Sequence, residues 1–215
     1  MKKLAIAVAL ALAIPFAGLA HATDVTVDPT KITVGYMNVF DLGLVYQWGS
    51  GWGFAALPAF YTGSDLTLAP NSIDDPAPYW YLPGGGPGSV GQKIMEAISY
   101  AEETGPLAGQ TVNFNGVVLS NTLTSAHTAV AFIRDFAPDF SSFNESALPL
   151  TAPGPFTLTL ATVPDPARHV QYGFRLTGAC VWITDVGQYG TIVIGPHQPV
   201  PTETTSWGQV KGLYR

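Results

Sequence analysis

Side chains able to make or break a covalent bond are few in this chain, and their spacing matches none of the common catalytic patterns. A nucleophile elbow reads Gly-x-Ser-x-Gly, a zinc-protease helix His-Glu-x-x-His and a redox or zinc pair Cys-x-x-Cys, and none of these occurs. His127, His169 and His197 stand far apart, in a loop, at the opening of a strand and in a Pro-rich tail. That scatter reads as surface histidines, not as a ligand set. Cys180 is the single cysteine and adjoins Ala179 and Val181-Trp182 with no cation beside it. It is expected to be a buried structural thiol. Asp74-Asp75 and Glu102-Glu103 are sequence neighbours, whose side chains diverge on a strand, so neither supplies the facing carboxylates of a glycosidase. Asp135 and Asp139 flank Ala137-Pro138 without forming such a pair in sequence. Loop carboxylates do suit calcium, and Asp24, Asp28, Asp74, Asp75 and Asp185 are the candidate ligands of a structural calcium ion.

Aromatic residues carry more information. Tyr46, Trp48, Trp52, Phe54, Phe60 and Tyr61 crowd one region, and Tyr79-Trp80-Tyr81 precedes a Gly-rich turn. Three consecutive aromatics on extended backbone cannot all enter one core, so at least one is expected to face solvent or a groove. Flat rings beside amides and hydroxyls are what a neutral sugar needs: its C–H faces stack while a few polar groups fix its hydroxyls. The candidate ligand-binding residues are therefore Tyr79, Trp80 and Tyr81, with Trp48 or Trp52, and with Gln171 and Arg175 or Asn113 and Asn115 as polar partners. The competing structural reading has the same rings plugging the end of a sandwich.

The elements that must position these residues are strands. Val170, Tyr172, Phe174 and Leu176 alternate with His169, Gln171 and Arg175, and Thr157 to Leu160 and Thr111 to Asn115 alternate in the same way. Thr128 to Phe136 and Thr191 to Ile194 are fuller apolar runs that suit covered strands. Pro and Gly punctuate the intervals, at Asp28-Pro29, Pro83 to Gly88, Gly105-Pro106, Pro153 to Pro155, Pro164 to Pro166 and Gly195-Pro196. Gln92 to Glu103 fits both periods, so strand and helix both stay open there. Asn71 to Gly91 reads as a long loop.

Composition narrows the class. The chain has 215 residues, 47% hydrophobic and only 11% charged, with Gly 23 and Pro 18, which excludes a coiled coil, while 12% aromatics disfavour disorder. Met1-Lys2-Lys3, the apolar stretch Leu4 to Leu19 and Ala20-His21-Ala22 form the pattern of a secretory signal peptide, and removal of residues 1–22 is expected. The remainder keeps seven basic and all 15 acidic residues, a net charge of −8. Such a surface argues against nucleic acid and anionic membrane as partners, and no membrane span is expected once the signal is gone.

Two passages carry a resemblance. Leu107 to Ser120 is similar to a strand of secreted carbohydrate-binding modules of the galactose-binding-like jelly-roll type. Arg168 to Val193 resembles their closing strands, and Tyr79-Trp80-Tyr81 with Lys93 to Ala97 resembles the strand bearing a ligand-facing aromatic. The likeness spans about residues 75–195 and implies that Gln92 to Glu103 is a strand, that one sheet face is a glycan platform, and that structural calcium is common. The expectation is thus an all-β protein with one antiparallel β-sandwich domain of jelly-roll type at 23–195, followed by an extended Pro/Thr-rich tail at 196–215. Its expected role is that of a secreted or periplasmic, non-catalytic binder of a neutral polysaccharide or glycan, by aromatic stacking on a sandwich face or loop rim. The alternative is a structural surface or matrix protein that self-assembles with copies of itself through strand edges and termini.

Overall fold

The computed structural model describes residues 22–197. The expected signal segment, apart from Ala22, and the tail beyond His197 lie outside the described residues. Strands β1 (Ala22–Thr26), β2 (Val34–Asp41), β3 (Tyr46–Gly51), β4 (Ala59–Thr62) and β5 (Asp65–Leu68) come first. A small hairpin, β6 (Tyr81–Leu82) and β7 (Val90–Gly91), leads into β8 (Lys93–Thr104) and β9 (Thr111–Asn121). Then follow β10 (His127–Phe136), β11 (Phe143–Pro149), β12 (Gly154–Ala161), β13 (His169–Ala179) and β14 (Ile192–Pro196). Two short 3₁₀ turns, Phe54–Ala56 and Ile183–Tyr189, are the helical elements among the described residues, and no helix there is long and apolar enough to cross a membrane.

The strands form an all-β sandwich. The front sheet has the order β11-β10-β13-β8-β2-β3, antiparallel throughout. In the back sheet β9 is the organiser: β12 lies antiparallel along one side, while parallel β1 and antiparallel β14 share the other. β14 continues the sheet to β5 and β4. β14 meets β1 end to end, where the His197 N–H donates to Thr26 Oγ1 at 3.2 Å.

Side-chain parity builds the main core. Val112, Phe114 and Val118 of β9, Phe156 and Leu158 of β12, and Ile192 and Ile194 of β14 face Val170, Tyr172, Phe174 and Leu176 of β13 and Ala129, Ala131 and Ile133 of β10. The Phe114 ring lies 5.3 Å from that of Phe174 and 5.4 Å from that of Tyr172, so aromatic contacts join the two sheets. The ambiguous segment is strand β8. Its helix-forming Ala, Glu, Lys and Met residues are overruled because β13 and β2 pair along both its edges and its alternate residues Met95, Ala97, Ser99 and Ala101 are buried.

A second core fills one end, on the inner side of β2, β3 and β8 beyond the back sheet. Met37, Val39, Leu57, Trp80, Tyr81, Met95, Ala97 and Cys180 form it, with Trp48, Trp52 and Trp182 packed alongside. The loop from Asn71 to Gly91 is its cover, held by Val181 N–H to Asn71 O at 2.9 Å and Gln92 N–H to Trp80 O at 2.8 Å. Asp185, itself buried, accepts the Gly88 N–H at 2.6 Å and so ties the Gly-rich turn to the second 3₁₀ segment.

Two side chains singled out in the sequence take buried places. Cys180 is 2% exposed, its Sγ–H donates to Trp80 O at 3.1 Å, and burial pushes its pKa up. Under native conditions the thiol is expected to resist an aqueous disulfide reagent and to react fully in denaturant; rapid native labelling, followed by absorbance, would contradict that burial. His127 does not lie in a surface loop but opens β10, buried against Tyr189, with its ring nitrogen Nε2 donating to Ala179 O at 3.0 Å. Burial lowers its pKa, so it is neutral near pH 7. Gly178 makes room for the ring: a Cβ there would stand 2.6 Å from Nε2.

Candidate functional site

Residues of opposite parity to the core cover the outer face of the front sheet, and strand register arranges them in rows. One row runs Glu102, Gln171, Arg134, Glu145 across β8, β13, β10 and β11. On one side of it lies the row His169, Phe136, Phe143, and on the other Tyr100, Gly173, Phe132. A further row sets Tyr36 beside Ile98 and Arg175, and another sets Asn38 beside Glu96. Polar groups thus form a ladder between two aromatic bands.

A groove of about 530 Å³ crosses this face diagonally, lined by Tyr36, Asn38, Ile98, Tyr100, Glu102, Arg134, Phe136, Phe140, Phe143 and Gln171. The volume falls within the usual range for small-molecule sites. From Asn38 to Phe136 it spans five rows, roughly 27 Å at two residues of about 3.4 Å per row. Gly173, in the middle row, is packed tightly against β8: a Cβ there would meet Ser99 O and stand 2.7 Å from Tyr100 Cα. Phe132, although on the outer face, is fully buried beneath the Arg134 guanidinium, which lies 4.7 Å from its ring centroid.

The polar groups are held in place by one another. Arg134 Nε donates to Glu145 Oε2 at 2.6 Å, and Arg175 Nη1 and Nη2 donate to the same carboxylate at 3.0 Å each. Burial alone would raise the Glu145 pKa, but the two guanidiniums carry it below its ordinary value. Gln171, 7% exposed, donates through Nε2 to Glu102 Oε2 at 2.7 Å. Asn38 Nδ2 donates to Glu96 Oε1 at 3.0 Å. Burial raises the phenol pKa values of Tyr100 and Tyr36; Glu102 adds to the effect at Tyr100, and Tyr46 at Tyr36. Both hydroxyls therefore stay protonated and can donate to a ligand oxygen.

The sequence-derived site residues divide into groups. Gln171 lines the groove, and Arg175 lies on the same face two rows away. Asn113 and Asn115 lie on the outer face of the opposite sheet, where they bond Thr159, Thr157 and Asp24, so they do not meet Gln171. Trp48, Trp52, Tyr79, Trp80 and Tyr81 gather at the second core, behind the front sheet. Trp48 stacks on Trp52 at 6.5 Å, and its Nε1–H donates to the Tyr79 hydroxyl at 3.0 Å. Tyr81 is fully buried and Trp80 nearly so, which leaves Tyr79, with Lys93 Nζ 4.2 Å from its ring centroid, as the exposed member of its triplet. Of the aromatic residues that do line the groove, Phe136, Phe140 and Phe143 fall close together in sequence, whereas Tyr36 and Tyr100 stand far from them and from each other. The signal that could have found Tyr100 and Glu102 is the strand parity of β8, once that segment is extended.

The five aspartates occupy separate places. Asp24 accepts from Asn113 and Asn115 on β1, Asp28 caps the turn at Thr30, Asp75 caps Ala77, and Asp185 clamps Gly88. Asp74 is exposed in the loop. Among the described residues no group of three or more His, Cys, Asp or Glu side chains is placed to hold a metal ion. Comparison with protein-family models, with curated proteins and with solved structures finds no match for this chain.

Proposed function

We propose that this chain is a secreted, non-catalytic binding protein of jelly-roll type whose ligand is a neutral polysaccharide or glycan, held in the groove on the outer face of the front sheet. One observation carries the reading: the row Glu102, Gln171, Arg134 presents acceptor, amide and donor in succession, with aromatic side chains on both sides. Pyranose hydroxyls pair with such a ladder while C–H faces stack on the rings. The groove reaches across several strand rows, from Asn38 to Phe136, which suits an extended chain of sugars. A structural calcium ion, if the protein takes one, would bind away from this face, since the candidate aspartates lie elsewhere.

A glycan array followed by calorimetry on the mature protein tests the reading. Tyr100→Ala is expected to weaken binding by about 2 kcal/mol, roughly thirtyfold, with the fold intact by circular dichroism. Tryptophan fluorescence is expected to stay unchanged on binding, because none of the described tryptophans lines the groove. Quenching together with an inert Tyr100→Ala would move the site to the Trp48, Trp52 and Tyr79 end.

A second reading, a structural surface protein that assembles with its own copies, draws on one feature. Leu42, Leu44, Val45 and Tyr46 at the β2–β3 turn are all more than half exposed. On that reading the protein elutes as large assemblies and ignores sugars.

A further inference from the structure

From the charge distribution in the groove we infer that it takes, at one position, a sugar bearing a free amine, as in a de-N-acetylated hexosamine chain. The inference rests on the glycan site proposed above and refines its chemistry, most of the groove being suited to uncharged hydroxyls. Three carboxylates and two guanidiniums occupy this face. Both guanidiniums converge on Glu145, and Arg175 Nε also lies 3.9 Å from Glu96, which Asn38 bonds in addition.

Glu102 is the carboxylate left over. Its hydrogen bond comes from Gln171, an uncharged amide, and the nearest basic side chain recorded beside it is His169, with Nδ1 at 3.8 Å. That imidazole is already committed elsewhere, since Nδ1 lies 2.7 Å from Thr104 Oγ1 and the ring stacks on Phe140 at 4.3 Å. Three carboxylates against two guanidiniums leave Glu102 as the one on this face that no guanidinium reaches, one row from the groove-lining ring of Tyr100.

A carboxylate next to an electron-rich ring is a cation site. An ammonium gains from the ring face as well as from the charge, and a primary amine also has three N–H donors for Glu102 and the Tyr100 phenol oxygen. At the other end of the polar row Arg134 does not repel such a ligand strongly, because Glu145 neutralises it. An N-acetylated sugar in the same position offers one N–H and no charge, and its acetyl group has to find room beside Glu102.

Calorimetry with three hexasaccharides of β-1,4-linked glucose, N-acetylglucosamine and glucosamine tests the inference, using the wild type and Glu102→Gln. The wild type is expected to prefer the glucosamine oligomer by about tenfold at low salt, less at high salt, and the substitution to abolish that preference, so that Glu102→Gln binds the glucosamine and glucose oligomers with equal affinity. Equal affinities in the wild type, or a preference that survives in Glu102→Gln, overturns the amine site and leaves the glycan site standing. Failure of all three oligomers, together with an empty glycan array, removes the glycan site and this inference with it.

Discussion

Replacing Arg168 by alanine is expected to destabilise the protein by about 3–5 kcal/mol, the usual consequence of stranding a buried carboxylate. Asp135 is fully buried at the inner side of β10. Its Oδ1 receives Arg168 Nε at 2.8 Å, its Oδ2 receives the Val163 N–H at 2.8 Å, and its carbonyl oxygen receives Arg168 Nη2 at 2.7 Å. Arg168 also serves through its backbone, since its carbonyl accepts the Gly105 N–H at 3.3 Å. Without the guanidinium the carboxylate keeps a single donor and no counter-charge. In a domain of this size each kcal/mol moves the melting temperature by roughly 2–4 °C, so the fall is on the order of 10 °C. The double variant Arg168→Met with Asp135→Leu is expected to lie nearer the wild type than Arg168→Ala does, because it removes both charges and leaves the Val163 N–H as the main loss. Urea unfolding of the variants measures this, and a loss under 1 kcal/mol for Arg168→Ala would show that water reaches the carboxylate.

Trp80→Ala is expected to cost a similar amount, about 3–5 kcal/mol, for a different reason. The indole is 9% exposed and packs edge-on against Trp48 at 6.1 Å and against Tyr79 at 4.8 Å. Its removal opens a cavity that rigid neighbouring strands cannot close. The variant also separates two locations for ligand binding. Measured at a temperature where it remains folded, Trp80→Ala is expected to bind glycan as the wild type does, because the groove lies across the sheet from this side chain. A folded variant that has lost its ligand would put the site at the aromatic end.

Much of the fold is legible in the sequence because a strand with one wet face writes its parity directly. Val170, Tyr172, Phe174 and Leu176 enter the core and Gln171 and Arg175 turn outward, as alternation requires. The site is less legible, since it depends on register. Glu102, Gln171, Arg134 and Glu145 are separated by 37 to 69 positions from their row neighbours in all but one case, and only pairing across three strand boundaries brings them into line. Aromatic clustering misleads for a related reason. Tyr79-Trp80-Tyr81 is conspicuous in sequence, yet the back sheet is too narrow to cover β2 and β3, and an uncovered apolar sheet face recruits the nearest large rings. His127 is hidden in the same way: nothing local shows that Gly178, fifty-one residues on, leaves a hollow for an imidazole.

The position of β14 sets the order in which the molecule can be finished. It is the last strand among the described residues, yet it lies inside the back sheet, between β9 and β5. Until it arrives, the β4–β5 hairpin has no connection to β9, and Leu66 and Leu68 have no neighbour on that side. Ribosomal synthesis therefore delivers a chain whose back layer stays split until residues 192–196 are free to pair, however early the front sheet assembles. Pairings this distant in sequence are slow to form, because the intervening chain must be closed before any contact rewards it. Such a polypeptide stays open for most of its synthesis and locks as a unit, with its final strand acting as a keystone.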